Sequence, residues 1–297
     1  MSFSANLKQE LCAIEVERDC CQRAESYGML LFGRHFNKSR IGLLTDHPFL
    51  AERYAGDLYQ LAGFHPEVLT VPSGKIRVDV TDPDRVMQVL HELGYAGTEA
   101  VFGFLESDLE NACCAAAFLR GVFLVCGVMS DPASAYHLEF SVGSPKKAQI
   151  LQDRLRDAGF SSKTSQRKGS VIVYMKVASD LFDFLAYIGA QHSALTLVDE
   201  EMIRNVRNNV NRKFNCENAN MKKTARSAGR QVEAIRRLQA EGRLQRLTQG
   251  EQELARLRVE NPEMTLQELG AALSQPMSRA GVYHRLNKIL KMSERED

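Results

Sequence analysis

Leu119-Arg-Gly-Val-Phe-Leu-Val-Cys-Gly127 reads as a helix whose Gly121 and Gly127 carry no Cβ, so a second backbone can approach closely. The stretch has a counterpart. Cys113-Cys114, just upstream, recurs as Cys20-Cys21, and at the same offset Ala117 matches Ala24, Gly121 matches Gly28 and Leu124 matches Leu31. The segments that follow also correspond. After the first copy comes a strand, Arg40–Thr45, and then Asp46-His-Pro48 opens a helix with Asp46 expected as its cap. That helix stops near Gly63. Strands Glu67–Val71 and Lys75–Val80 flank a Pro-Ser-Gly turn, and Asp82-Pro83 opens a helix ending near Gly94. The second copy repeats the order: strand Ala135–Val142, a helix opened by Ser144-Pro145 and stopped at Gly159, strands near 161–166 and 170–177, and a helix from Asp180 toward Gly189. The shared element order implies a duplicated α+β domain with pseudo-twofold symmetry.

The spacing of Leu119–Gly127 resembles the LAGLIDADG motif of homing endonucleases. That resemblance implies two such helices packed side by side on the pseudo-dimer axis, with Gly28, Gly121 and Gly127 as the close-approach positions. Nuclease chemistry in that family needs an acid at the eighth motif position to hold a divalent metal. Here that position is Cys126, and in the first copy, Ser26-Tyr-Gly-Met-Leu-Leu-Phe-Gly-Arg34, it is Gly33. The sixth positions are Leu124 and Leu31. The scaffold is expected without the cutting chemistry, with no catalytic residue, no metal and no cofactor.

The chain has 297 residues, 44% hydrophobic and 25% charged, which suits two domains with buried cores. No apolar run approaches the roughly 20 residues of a bilayer span, and the start lacks the pattern of a signal peptide. The seven cysteines include no Cys-x-x-Cys pair, so free thiols in a reducing compartment are expected in place of a disulfide framework or zinc ribbon. Charge is polarised. Residues 201–246 hold 12 Lys+Arg against 4 Asp+Glu, whereas residues 1–200 hold 19 against 25. A basic segment of this kind suits an anionic partner, nucleic acid first.

Asn205–Asn220 is crowded with asparagine and basic side chains, and Asn218–Arg237 reads as a helix with Ala228, Val232, Ile235 and Leu238 on its apolar side. Its other faces carry Lys222, Lys223, Arg226, Arg230, Arg236 and Arg237, with Arg212 and Lys213 just before. Three short helices follow. Thr248-Gln-Gly-Glu251 and Thr265-Leu-Gln-Glu268 are both capping boxes, and Ser278 caps the last helix after a break at Gln275-Pro-Met. Leu266, Leu269, Leu273, Met277, Val282, Leu286 and Ile289 form an apolar seam. This is the pattern of a helix-turn-helix, in which the second helix lies in the major groove. With Val282, Leu286 and Ile289 buried, 100° per residue turns Ala280, His284, Asn287 and Lys291 outward, flanked by Arg279, Tyr283 and Lys288. The expected DNA-contacting set is Thr265, Gln267, Ser278, Arg279, Ala280, Tyr283, His284, Arg285, Asn287, Lys288 and Lys291.

Other chemistry finds no support. There is no phosphate-binding Gly-x-x-x-x-Gly-Lys-Ser/Thr run and no Gly-x-Gly-x-x-Gly. His137-Leu-Glu139 lacks the Pro-Cys-x-x-Cys that a zinc deaminase requires; strand alternation accounts for both side chains.

Taken together, Met1-Ser-Phe-Ser4, Phe118-Leu-Arg-Gly121 with Ser130-Asp-Pro132, Tyr136-His-Leu-Glu-Phe140, Arg212 with Asn215-Cys-Glu-Asn-Ala-Asn220, Lys223-Thr224, Arg230-Gln231 and Ser278-Arg-Ala-Gly-Val-Tyr-His-Arg-Leu-Asn287 resemble the WhiA family over essentially the whole chain. The resemblance implies an α+β pseudo-twofold LAGLIDADG-like domain plus an all-α helix-turn-helix domain. Repeats are expected at 1–110 and 111–205, a basic linker helix at 206–246 and the helix-turn-helix at 247–297. It implies a non-catalytic transcription regulator in sporulation septation, or in cell division and chromosome segregation. The expected partner is double-stranded DNA at promoter regions, with another transcription factor or RNA polymerase as further candidates and no membrane. The expected location is the cytoplasm, at the nucleoid. Two alternatives stand beside it: a metal-dependent endonuclease using acids elsewhere, and a repeat domain that senses a ligand or protein, as its acidic balance suggests.

Overall fold

The computed structural model describes residues 2–98, 104–105, 111–167 and 169–294. The chain divides into two compact units, Met1–Ile203 and Arg204–Asp297. The expected boundary between the repeats, at 110, lies outside the described residues.

The first unit opens with α1 (Phe3–Cys12), and the two copies follow. The first is α2 (Asp19–Phe32), β1 (His35–Asn37), β2 (Arg40–Thr45), α3 (Pro48–Ala62), β3 (Glu67–Thr70), β4 (Ile76–Val80) and α4 (Pro83–Glu92). The second is α5 (Ala112–Cys126), β5 (Gly127–Met129), β6 (Leu138–Val142), α6 (Pro145–Asp157), β7 (Lys163–Arg167), β8 (Ser170–Met175) and α7 (Ala178–Tyr187). Each copy folds an antiparallel four-stranded sheet of the same order, β1-β2-β4-β3 and β5-β6-β8-β7. Registers correspond: Ile41 faces Val80 in one sheet, and Leu138 faces Met175 in the other. One continuous apolar core runs through both copies, from Leu7 and Tyr27 to Phe123, Phe140 and Phe184.

The turn chemistry places most boundaries. Asp82 and Ser144 accept from the amides of Arg85 and Lys147, each just before a proline in the first helical turn. Asp46 does not cap α3. Because Pro48 starts that helix, the cap position falls on His47, and Asp46 instead pairs with Lys75 at 3.1 Å. The strand expected from Ala135 begins only at Leu138.

Helices α2 and α5 pack against each other at the centre of the unit. A Cβ on Gly28 would stand 2.3 Å from the Phe118 carbonyl oxygen, and one on Gly121 would stand 2.2 Å from that of Glu25. The backbones therefore touch at both glycines, in symmetric fashion. Gly127 does something else. It ends α5 in an extended conformation, and a Cβ there would meet the Phe123 ring of its own helix, not the partner helix. Beside the seam, the fully buried Glu25 carboxylate takes Arg120 on one oxygen (2.6 Å) and Arg53 on the other (2.8 Å). Arg120 also donates to the Ile188 carbonyl at 3.2 Å. Such satisfaction is what lets a charged group sit in a core.

All seven cysteines are free thiols, as expected, but four of them are brought together. The Sγ atoms of Cys20, Cys21, Cys113 and Cys114 all lie within 4.8 Å of one another. Sequence spacing missed this because the ligand-like pairs are contiguous and come from two helices that only the seam brings together.

The basic linker also differs from expectation. A single helix, α8 (Gln191–Ala240), runs through the asparagine-rich stretch, so the boundary expected at 206 falls inside it. Asparagine is a weak helix former, yet no proline or glycine interrupts residues 191–228. Gly242, left-handed at φ 69°, follows its end. No helix among the described residues is long and apolar enough to cross a membrane.

Candidate nucleic-acid interface

The second unit packs the end of α8 against α9 (Gln249–Glu260), α10 (Leu266–Ala272) and α11 (Arg279–Ser293). Ile235, Leu238, Leu247, Leu254, Leu269, Leu273, Val282, Leu286 and Ile289 form its core. Both capping boxes are present: Thr248 with Glu251, and Thr265 with Glu268. Arg258 is buried, and its guanidinium ties the α9–α10 turn by donating to the carbonyls of Pro262 (3.2 Å) and Met264 (2.7 Å). Gly270 closes the next turn. A Cβ there would lie 2.3 Å from the Met277 carbonyl oxygen, so α10 and the approach to α11 meet backbone to backbone. Neither Arg258 nor Gly270 is prominent in the sequence, since each acts on residues several positions away.

This frame fixes which side of α11 faces water. Arg279, Ala280, Tyr283, His284 and Lys291 are exposed and Asn287 is half-buried, opposite the buried Val282, Leu286 and Ile289. Ser278 caps the helix by accepting from the Gly281 amide. Arg285 and Lys288 are turned aside. Lys288 pairs with Glu251 of α9 at 2.7 Å, and the Arg285 guanidinium lies over Gly250. These two are better described as packing α11 on α9 than as part of the outward face. Thr265 is committed to its capping box, and Gln267 is exposed in the first turn of α10. Burial opposes ionisation of Glu251, but hydrogen bonds from Lys288 and Thr248 outweigh it and hold its carboxyl below the ordinary value.

Arg212, Lys213, Lys222, Lys223, Arg226, Arg230, Arg236 and Arg237 are all exposed on α8. From Lys222 onward they lie outside the buried stripe of Ala228, Ala234, Ile235 and Leu238, while Val232 is only half-buried.

In the first unit, the positions where motif acids would hold metal are Gly33, which ends α2, and Cys126, the last residue of α5. A cavity of about 440 Å³ there is lined by both and by Lys8, Arg34 and Lys147. Burial raises the Cys126 thiol to about 12 and lowers Lys8 and Lys147 from their ordinary values. Cys126 donates to its own helix, at the Val122 carbonyl. Cations ring the place where the scaffold would keep a divalent ion.

A duplicated LAGLIDADG-like unit with the motif acids gone, joined to a helix-turn-helix, defines a class of two-part protein. The model of the WhiA LAGLIDADG-like domain matches residues 115–207, and that of the WhiA C-terminal HTH domain matches residues 210–293. A "Probable cell division protein WhiA" of Ruminiclostridium cellulolyticum is 34% identical over 99% of this chain and 98% of its own. One from Alkaliphilus oremlandii is 35% identical over 97% of this chain and 96% of its own. The chain belongs to the WhiA family. The crystal structure of full-length DUF199/WhiA from Thermatoga maritima shares the fold, with a TM-score of 0.61 at 23% identity, covering 100% of this chain and 99% of that one.

Proposed function

We propose that the protein is a sequence-specific, non-catalytic regulator of transcription that binds promoter DNA through α11 and serves cell division, septation or chromosome segregation. It works in the cytoplasm, at the nucleoid. The observation that carries this reading is the outward face of α11. It offers His284 and Asn287, which can read base edges, between the phosphate-binding cations Arg279 and Lys291. The basic side of α8 supplies further phosphate contacts. The names of the relatives support the cell-division setting. The cations around Gly33 and Cys126 speak against metal-dependent cleavage, because a divalent ion beside them would be repelled.

The test begins with selection of preferred sites from random duplexes and genome-wide immunoprecipitation of the native protein. His284→Ala and Asn287→Ala should then each weaken the selected site by about 1–3 kcal/mol, with little change on random DNA. Equal losses on both would show that these side chains touch only phosphate and would remove the base-reading role.

A further inference from the structure

Four sulfurs converge at the N-terminal ends of α2 and α5. Cys20 and Cys21 lie in the first turn of α2, and Cys113 and Cys114 in the first turn of α5. Their Sγ atoms all lie within 4.8 Å of one another. A zinc ion with bonds of about 2.3 Å to four thiolates at tetrahedral corners sets those sulfurs about 3.8 Å apart. Small rotamer changes close that difference. Two members of the set are buried, one is half-buried and one is exposed, so solvent can deliver an ion to a site that the core then holds.

We propose that Cys20, Cys21, Cys113 and Cys114 form a tetrathiolate site for one soft divalent cation, zinc, which clamps the two repeats together. All-sulfur, four-fold donor sets select zinc over harder ions such as magnesium and calcium, which need oxygen. The surroundings suit the charge. Four thiolates around a divalent ion carry a net double negative charge, and two helix N-termini, each a partial positive pole, point at it. Neither helix start is capped by a side chain: Arg18 and Asn111 occupy the cap positions without making the usual bond. Arg18 instead reaches Cys113 Sγ at 3.7 Å, adding a cation beside the cluster.

The placement gives the ion a structural role. The four cysteines bring the starts of the two helices together and one cavity is lined by both of their ends, Gly33 and Cys126, so the two helices run parallel along the seam. Gly33 and Cys126 lie at the other end. The clamp is thus remote from the positions that bind metal in nucleases of this scaffold. It ties together two segments far apart in sequence, where a crosslink removes the most freedom from the unfolded chain.

The experiment uses the full chain, purified under reductant and without chelator. Its metal content is measured, the protein is stripped, and cobalt(II) is titrated in as a spectroscopic stand-in for zinc. One cobalt per chain is expected, with the ligand-field bands of a tetrahedral site, a sulfur-to-cobalt charge-transfer band of four-thiolate intensity, and full displacement by zinc. Cys20→Ser, at an exposed position, should weaken cobalt binding more than about tenfold, whereas Cys216→Ser on α8 should leave it unchanged. If Cys20→Ser lowers helical content, the charge-transfer intensity of the unaltered protein decides alone. The proposal is overturned by the lack of a tetrahedral spectrum in reduced protein. Equal losses in Cys216→Ser and Cys20→Ser overturn it too, as does mass spectrometry finding these four cysteines joined as disulfides in the native protein.

Discussion

Replacing Gly121 by alanine tests how closely α2 and α5 are packed. The new methyl would stand 2.2 Å from the Glu25 carbonyl oxygen and 3.1 Å from the Met29 amide nitrogen, where ordinary contact starts near 3.4 Å. Both neighbours are backbone, so neither can rotate away and the seam has to open. An opening of about 0.5–1 Å forfeits a quarter to a half of each attractive well along the seam. Buried Tyr27, Met29, Phe118 and Val122 all lie along it. Overpacking of this kind costs about 1–3 kcal/mol and sometimes more. Alanine recovers about 1 kcal/mol of helix propensity, which the clash has to exceed. A net loss of up to about 2 kcal/mol follows, or up to about 8 °C in Tm for a unit of this size. Gly56→Ala is the matched control: Gly56 is exposed on α3 with nothing within 4 Å of a Cβ, and its substitution should raise stability by about 0.5–1 kcal/mol. Calorimetry and urea unfolding of both variants measure the difference. If Gly121→Ala were as stable as Gly56→Ala, the close backbone approach would be refuted.

Three further outcomes are expected. If the basic side of α8 neutralises phosphates, replacing Arg226, Arg230, Arg236 and Arg237 with alanine should flatten the log–log salt dependence of DNA binding by up to about one unit for each phosphate no longer neutralised, alike on all sequences. An unchanged slope with a lowered Tm would mean that these arginines are structural. The Glu251 carboxyl lies below its ordinary value of 4.5, so its stabilisation is present above that pH and is lost as pH falls through the folded value. Glu251→Gln should therefore remove part of the acid sensitivity of the helix-turn-helix below about pH 4.5; an acid limb identical to that of the unaltered protein would contradict the pairing with Lys288 and Thr248. Finally, incubation with magnesium or manganese should not produce specific double-strand breaks, and chelator-sensitive cutting would restore the endonuclease alternative.

Local chemistry made much of the fold legible. Asp82-Pro83 and Ser144-Pro145 carry cap and first-turn proline together, so both helix starts could be read from dipeptides. Asp46 misled because a cap must stand immediately before the first helical residue, and His47 intervenes. The periodicity of α11 gave the angular position of each side chain but not the neighbour on each flank. The pairing of Lys288 with Glu251 depends on how α9 crosses α11, so the sequence could not assign Lys288 to α9. The two cysteine pairs were visible as signs of duplication. Their convergence was hidden because parallel packing of α2 on α5, not spacing along the chain, brings the sulfurs together.

The Glu25–Arg120 pair has a consequence for how copies choose one another. In the repeat alignment Glu25 corresponds to Phe118 and Arg120 to Tyr27, so the symmetry is broken at this pair. Two first copies meeting across the seam would leave each Glu25 with Arg53 alone, its second oxygen unmatched, and two second copies would bury two guanidiniums with no carboxylate between them. An unpaired buried charge costs several kcal/mol, so the union of two second copies is the more strongly disfavoured. Only unlike halves satisfy both Glu25 oxygens and the Arg120 guanidinium together. The duplicated chain thereby carries its own safeguard against the pairing of like halves from neighbouring molecules, a hazard for any protein built from two similar folds.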